Sequence, residues 1–318
     1  MRLTAINGLI LVVALVSLSS YLRLDHSGIG CTPWPECYGN IGEQGRAADV
    51  ESAYERLVAE ARQPMSWARP LHRLIASVLG LLVLGLVGLS LRQKRHRALS
   101  FVLLGLTVFL AWLGIYSEGL HSPAVVMGNL SGGFAMLGVF GLLLFEKGAK
   151  HEDAVRHRDI WTAVAIGVLC LQILLGGLTS ANFAAIACQS LPDCHGIWLP
   201  GADLWSAFDL SRSLQINPQG FVIGGAERAD IHMLHRIVAL LTVAAALVAG
   251  VRAIMSGGRL RPIGIFVCLV VVVEFLIGIA AIWSGVPIGI TVAHNWLAGL
   301  LLLGLLRLRA GPKFRANR

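Results

Sequence analysis

Two histidines set in apolar surroundings carry the most specific chemistry in this chain. His235 opens a long apolar run in Ala229-Asp230-Ile231-His232-Met233-Leu234-His235-Arg236-Ile237. His294 stands in Gly289-Ile290-Thr291-Val292-Ala293-His294-Asn295-Trp296, near the start of the last apolar run. Ionisable groups are costly in lipid, so they are expected to face the interior of a helix bundle and to serve a function there. Both runs are traversed in the same direction. His235 falls about six residues and His294 about seven residues into its run, roughly 8–10 Å below one boundary at about 1.5 Å per residue. Two imidazoles at matched depth on separate helices suit a planar macrocycle held from opposite faces. The expected group is a heme iron with no open coordination position, a form suited to electron transfer. Zinc would need further ligands at that depth, and only His232 is at hand.

Other groups extend this set. His232, one turn before His235, could support a ligand, contact a propionate or simply sit at the interface. Arg236 and Arg73 each follow a histidine at a helix start, and either pairs with carboxylates of the macrocycle or snorkels to lipid headgroups. His72 is the earlier of those histidines. The position matching His294 in the first half carries Asn129, a poor iron ligand, followed by Ser131, Gly132 and Gly133. Those small residues either leave room for a bulky planar substrate or let helices pack closely. His121 lies in a loop, where it either reaches in as a substitute ligand or stays a plain loop residue. Glu274 falls in the middle of an apolar run and reads as functional, or as a neutral acid bonded within the bundle. Cys31 with Cys37 and Cys188 with Cys194 form two Cys-x5-Cys pairs, expected as disulfides that staple outer loops. A redox-exchanging role for the first pair is the alternative. Cys170 and Cys268 lie inside apolar runs and are expected in the core.

The elements that position these residues follow from composition. Of 318 residues, 56% are hydrophobic and only 14% charged, a balance of polytopic membrane proteins rather than soluble domains. Apolar runs long enough to cross a bilayer fall at about 3–22, 70–91, 99–117, 124–145, 160–181, 230–251, 262–283 and 288–308. The fold class is therefore all-α, with eight transmembrane helices. The net charge of +8 is topological rather than a nucleic-acid signal. Its clusters (Arg92 to Arg97, Lys147 to Arg158, Arg252 to Arg261, Arg307 to Arg318) share one side of an eight-span arrangement. By the positive-inside rule both termini are cytoplasmic, in a bacterial-type inner membrane. The first run lacks an Ala-x-Ala site and is expected to be a retained helix rather than a cleaved signal.

An internal repeat organises the whole. The two Cys-x5-Cys motifs share a proline, an acid and a glycine in register and are offset by 157 residues. Leu71-His72-Arg73 answers Leu234-His235-Arg236 at an offset of 163, and Gly114-Ile115 with Pro123 answers Gly278-Ile279 with Pro287 at 164. These offsets imply a duplicated unit of four helices. The expected domains are two tandem four-helix bundles, 1–150 and 151–318, joined by a polar link near Glu146 to Asp159. Repeats of an even number of helices run parallel, which argues against an inverted-repeat transporter.

Eight spans in two repeats, Cys-x5-Cys with Trp34-Pro35, and His-Arg pairs opening the second and sixth spans together resemble the heme A synthase family. Leu175-Gly176-Gly177-Leu178-Thr179-Ser180 and the histidine of the eighth span add to the likeness, which covers almost the whole chain. The resemblance implies oxidation of a heme O ring methyl to a formyl group, giving heme A for terminal oxidases. It implies heme b held in the second bundle by His235 and His294, and substrate heme received at His72. The implied partners are heme O, heme O synthase and cytochrome oxidase assembly factors. Two departures stand out. The family's second ligand of the first bundle falls at Asn129, and its glutamate three residues before the first-bundle histidine falls at Arg69. Both bear on methyl oxidation, and neither touches the second bundle. The alternative reading is a non-catalytic heme b membrane protein in heme handling, oxidase assembly or electron transfer.

Overall fold

The computed structural model describes residues 1–26, 67–116, 123–145, 159–212, 215–216, 222–223 and 225–311. Eight helices in it are long and apolar enough to cross a membrane. They are α1 (Arg2–His26), α2 (Ala68–Gln93), α3 (Arg97–Tyr116), α4 (Pro123–Phe145), α5 (Ile160–Ala181), α6 (Ala226–Ser256), α7 (Arg261–Trp283) and α8 (Ile288–Arg309). The protein is a multi-pass membrane protein. Hydrocarbon offers no partner for backbone N–H and C=O groups, so each spanning segment must satisfy its own as a helix. Many large apolar side chains accordingly point outward, Leu81 and Leu269 among them.

Helix α6 departs most from its expected bounds. It begins at Ala226 and runs 31 residues, about 46 Å at 1.5 Å per residue, well beyond the hydrocarbon thickness. Its first turns carry Glu227, which apolar content alone had assigned to a loop, and Asp230, at the expected start of the span. Those acids are buried under the loop that precedes the helix, so packing extends it.

Packing closes two rings of four. Helix α1 packs on α2 and α4, and α3 packs on α2 and α4. Likewise α6 packs on α5 and α7, and α8 packs on α7 and α5. The rings meet through α4 against α5 and α8, and α1 against α8. Leu137 and Phe140 of α4, Val12 of α1, and Leu301 and Leu305 of α8 form a continuous buried core across that seam. Asn295 donates to Ser20 Oγ at 3.1 Å, and Trp296 Nε1 donates to Ser17 Oγ, tying α8 to α1.

Close approach is written into particular small residues. A Cβ on Gly264 would lie 2.5 Å from the Gly250 carbonyl, and one on Gly250 would lie 2.5 Å from Cys268 Sγ. Helices α6 and α7 therefore touch backbone to backbone there, and half-buried Cys268 packs into the crossing. Cys170 instead is exposed on the outside of α5. The expectation that it is a core residue is corrected, because a helix apolar all round gives no signal of which face turns inward. On α4, Gly128 and Gly132 meet Leu113 and Leu110 of α3, each with a would-be Cβ contact of 2.6 Å. Close helix packing therefore accounts for Gly132 in the small-residue run. Asp159 caps α5 by accepting from Thr162 N, worth about 1 kcal/mol, and also meets Arg252 Nε at 3.2 Å.

The second long loop joins α5 to α6. It contains a single helical turn, Leu204–Ala207, and a two-residue antiparallel ribbon of β1 (Gln215–Ile216) and β2 (Val222–Ile223). Cys188 and Cys194 form a disulfide, with Cα atoms 4.8 Å apart. Cys31, Cys37, His121 and the polar link 146–158 lie outside the described residues.

Candidate functional site

His235 on α6 and His294 on α8 stand on helices that are diagonal in the second ring, each wedged between α5 and α7. Each imidazole leans on a glycine of a different neighbour. A Cβ at Gly176 of α5 would come 3.1 Å from His235 Cε1, and one at Gly278 of α7 would come 3.2 Å from His294 Cε1. A side chain at either position would press on the Cε1 edge of the ring, so the glycines let each imidazole sit close to the helix backbone. The histidines stand nine residues past the start of α6 and six past the start of α8. The longer α6 revises the sequence count, which had placed its start at 230.

Each ring has a polar neighbour of different character. Gln172 Nε2 of α5 lies 3.1 Å from His235 Nδ1 and 3.3 Å from its Nε2, straddling the Cε1 edge, while Gln172 Oε1 has no partner. Glu274 Oε1 of α7 lies 3.2 Å from His294 Nδ1, with side-chain exposures of 14% and 30%. The Nδ1–H direction misses the carboxylate, so Nδ1 and Glu274 Oε2 are both without a hydrogen-bond partner. Gln172 and the two glycines were not singled out as site residues in the sequence. A polar residue in an apolar span was the available signal for Gln172, and the Gly176-Gly177 and Gly278 landmarks for the others.

Above the pair sits a cap built by the second outer loop. Arg236 donates through Nη1 to the carbonyls of Ser190 at 2.8 Å and Asp193 at 2.9 Å, and through Nη2 to Cys188 at 2.5 Å. Its guanidinium thus fills the carbonyl-lined mouth of the disulfide loop and leaves only Nε without a partner. Arg228 donates to the Phe183 carbonyl. Arg212 meets Glu227 at 3.2 Å and donates to Asn182 Oδ1 at 2.6 Å, pinning the loop to α5 and α6. His232 is buried beneath this cap, and its Nδ1 and Asp230 Oδ2 are both unpartnered.

The first ring is plainer. His72 on α2 is half-buried, with Arg73 exposed beside it. Asn129 is half-buried on α4. Among the described residues no three His, Cys, Asp or Glu side chains cluster as metal ligands.

The sequence itself has known relatives. A model of the family described as cytochrome oxidase assembly protein matches residues 2–306. Heme A synthase of Shewanella oneidensis is 31% identical over 304 residues, covering 93% of this chain and 92% of the relative. The chain belongs to the heme A synthase family. Heme A synthases of Rhizorhabdus wittichii (27% identical, 93% of this chain and 89% of the relative) and Neorickettsia sennetsu (24%, 95% and 97%) are similar along nearly their whole lengths. The heme A synthase family places the chain in heme A biosynthesis and oxidase assembly, with heme as the implied cofactor. The chain's donor set fits that group: two imidazoles on diagonal helices, glycines beneath them and buried polar atoms awaiting partners.

Proposed function

We propose that this chain is a membrane oxidoreductase that converts heme O to heme A, oxidising a ring methyl to a formyl group during cytochrome oxidase biogenesis. The observation that carries the reading is the diagonal His235–His294 pair, each ring seated on its own glycine. These two side chains would hold a resident heme b through their ring nitrogens. Bound there, heme b supplies one-electron transfer. Glu274, with Oε1 3.2 Å from His294 Nδ1, stands where it would accept from that nitrogen and leave Nε2 for the heme. Gln172 instead sets a neutral amide nitrogen against the Cε1 edge of His235, within reach of both ring nitrogens. Arg236 closes the outer mouth of the ring through the disulfide loop and so excludes water from the pair.

The first ring would receive heme O, with His72 as the residue that binds it and Arg73 and Asn129 alongside. The two rings fit a duplicated four-helix unit, 1–150 and 151–318, since their packing order repeats. Both termini are cytoplasmic in this reading, and heme O synthase and oxidase assembly factors are the partners. A second reading, a non-catalytic heme b protein, is favoured by Asn129 and Arg69, which stand where a ligand and a proton-accepting acid would be expected.

Expression in a host that makes heme O and lacks heme A synthase separates the two. Heme A among the extracted pigments supports the enzyme. An extract with only heme B and heme O, from cells holding the folded protein, overturns it in favour of the second reading.

A further inference from the structure

A cavity of about 670 Å³ opens at the end of the molecule opposite the histidine pair, where the two rings adjoin. Its walls come from the start of α1, the end of α2 with the turn after it, the end of α4 and the end of α8. Arg2, Arg95 and Arg307 line it, and among the described residues its lining contains no carboxylate. Arg307 lies over the Phe145 ring, 5.9 Å from the centroid. Beside the guanidinium groups the lining turns apolar, with fully buried Leu86 and the largely buried Leu143.

Three cations from three separate elements repel one another there, and among the described residues no acid lining the cavity compensates them. An anion does so, and the apolar floor specifies one with a hydrocarbon part. The position at the ends of spanning helices places both parts at matching depth, polar group outward and chain inward. We propose that this cavity binds an anionic phospholipid, its phosphate held by Arg2, Arg95 and Arg307 and its glycerol and first methylenes against Leu86 and Leu143. The lipid bridges α1, α2, α4 and α8 and so joins the two rings at the face away from the heme-type site. This inference does not depend on the reaction proposed above.

The test uses the full-length protein, purified in neutral detergent and titrated separately with phosphatidylglycerol, phosphatidylcholine and inorganic phosphate. Native mass spectrometry reads lipid retention, and thermal unfolding reads stabilisation. One phosphatidylglycerol per chain is expected, with phosphatidylcholine much weaker and inorganic phosphate unable to displace it. The Arg95→Gln/Arg307→Gln double variant should lose about 30-fold in affinity, and the corresponding double change to Lys should recover most of it. The Arg97→Gln/Arg259→Gln variant removes charge outside the cavity lining and should bind as the parent does. The lipid-free unfolding temperature of each variant serves as the folding control. Equal retention of phosphatidylcholine, unchanged binding by the Arg95/Arg307 double variant, or displacement by inorganic phosphate would each overturn the proposal.

Discussion

Glu274 Oε1 lies 3.2 Å from His294 Nδ1, a carboxylate set against an imidazole in the middle of a membrane helix bundle. Across the ring the corresponding neighbour of His235 is not an acid but the amide of Gln172. The two imidazoles are thus alike in kind and unlike in what stands behind them. A carboxylate behind an axial histidine raises its basicity and stabilises the oxidised metal. Glu274→Gln should therefore keep the low-spin spectrum and raise the midpoint potential in a redox titration. Glu274→Ala should lower heme retention about 10–100-fold. An unchanged potential in Glu274→Gln would remove Glu274 from the role given to it.

Loss of either imidazole should have a larger effect than loss of any other histidine. In His235→Ala and His294→Ala the bis-imidazole low-spin signal should disappear from visible and electron paramagnetic resonance spectra. His232→Ala should retain it, because that ring lies beneath the loop cap, among Asp230 and Arg236. Survival of the signal in His294→Ala would show that the ligands were misassigned.

The glycines under the rings separate site geometry from helix stability. Alanine favours a helix over glycine by about 1 kcal/mol, so Gly176→Ala and Gly278→Ala should not destabilise the apoprotein. Their new Cβ atoms would stand 3.1 and 3.2 Å from the imidazole Cε1 atoms and tilt the rings. Heme retention should fall while the apoprotein unfolding temperature holds or rises. Normal retention would mean that the rings have slack that the packing does not reveal.

The loop cap gives a stability prediction. Arg236→Ala leaves the carbonyls of Cys188, Ser190 and Asp193 without their shared donor, at a cost of about 2–3 kcal/mol. Cys188→Ser opens the short disulfide loop and should cost about 2 kcal/mol. The two changes act on one loop, so the double variant should lose less than their sum. Additive losses in thermal unfolding would show that Arg236 and the disulfide act independently.

The eight spans and the histidine pair were legible in the residues alone. A bilayer leaves a spanning segment only the helix to adopt, so a run of some 20 apolar residues announces it without help from the rest of the chain. Histidines in such runs stand out because lipid makes them costly. The partners of those histidines were not legible. Helices apolar on every side carry no stripe to say which face looks inward, so Cys170 read like a core residue and proved exposed. Arg236 read like a carboxylate partner or a snorkelling group. Its guanidinium instead caps loop carbonyls more than 40 residues upstream, a contact made only once the outer loop folds over α6. The pairing of Gln172 with His235 and of Glu274 with His294 likewise depends on which helices become neighbours in the ring. Sequence settled what crosses the membrane and which ionisable side chains lie within the spans. Packing of the four helices settled what each of those side chains faces, because in lipid the choice of neighbour rests on close contact rather than on hydrophobic pattern.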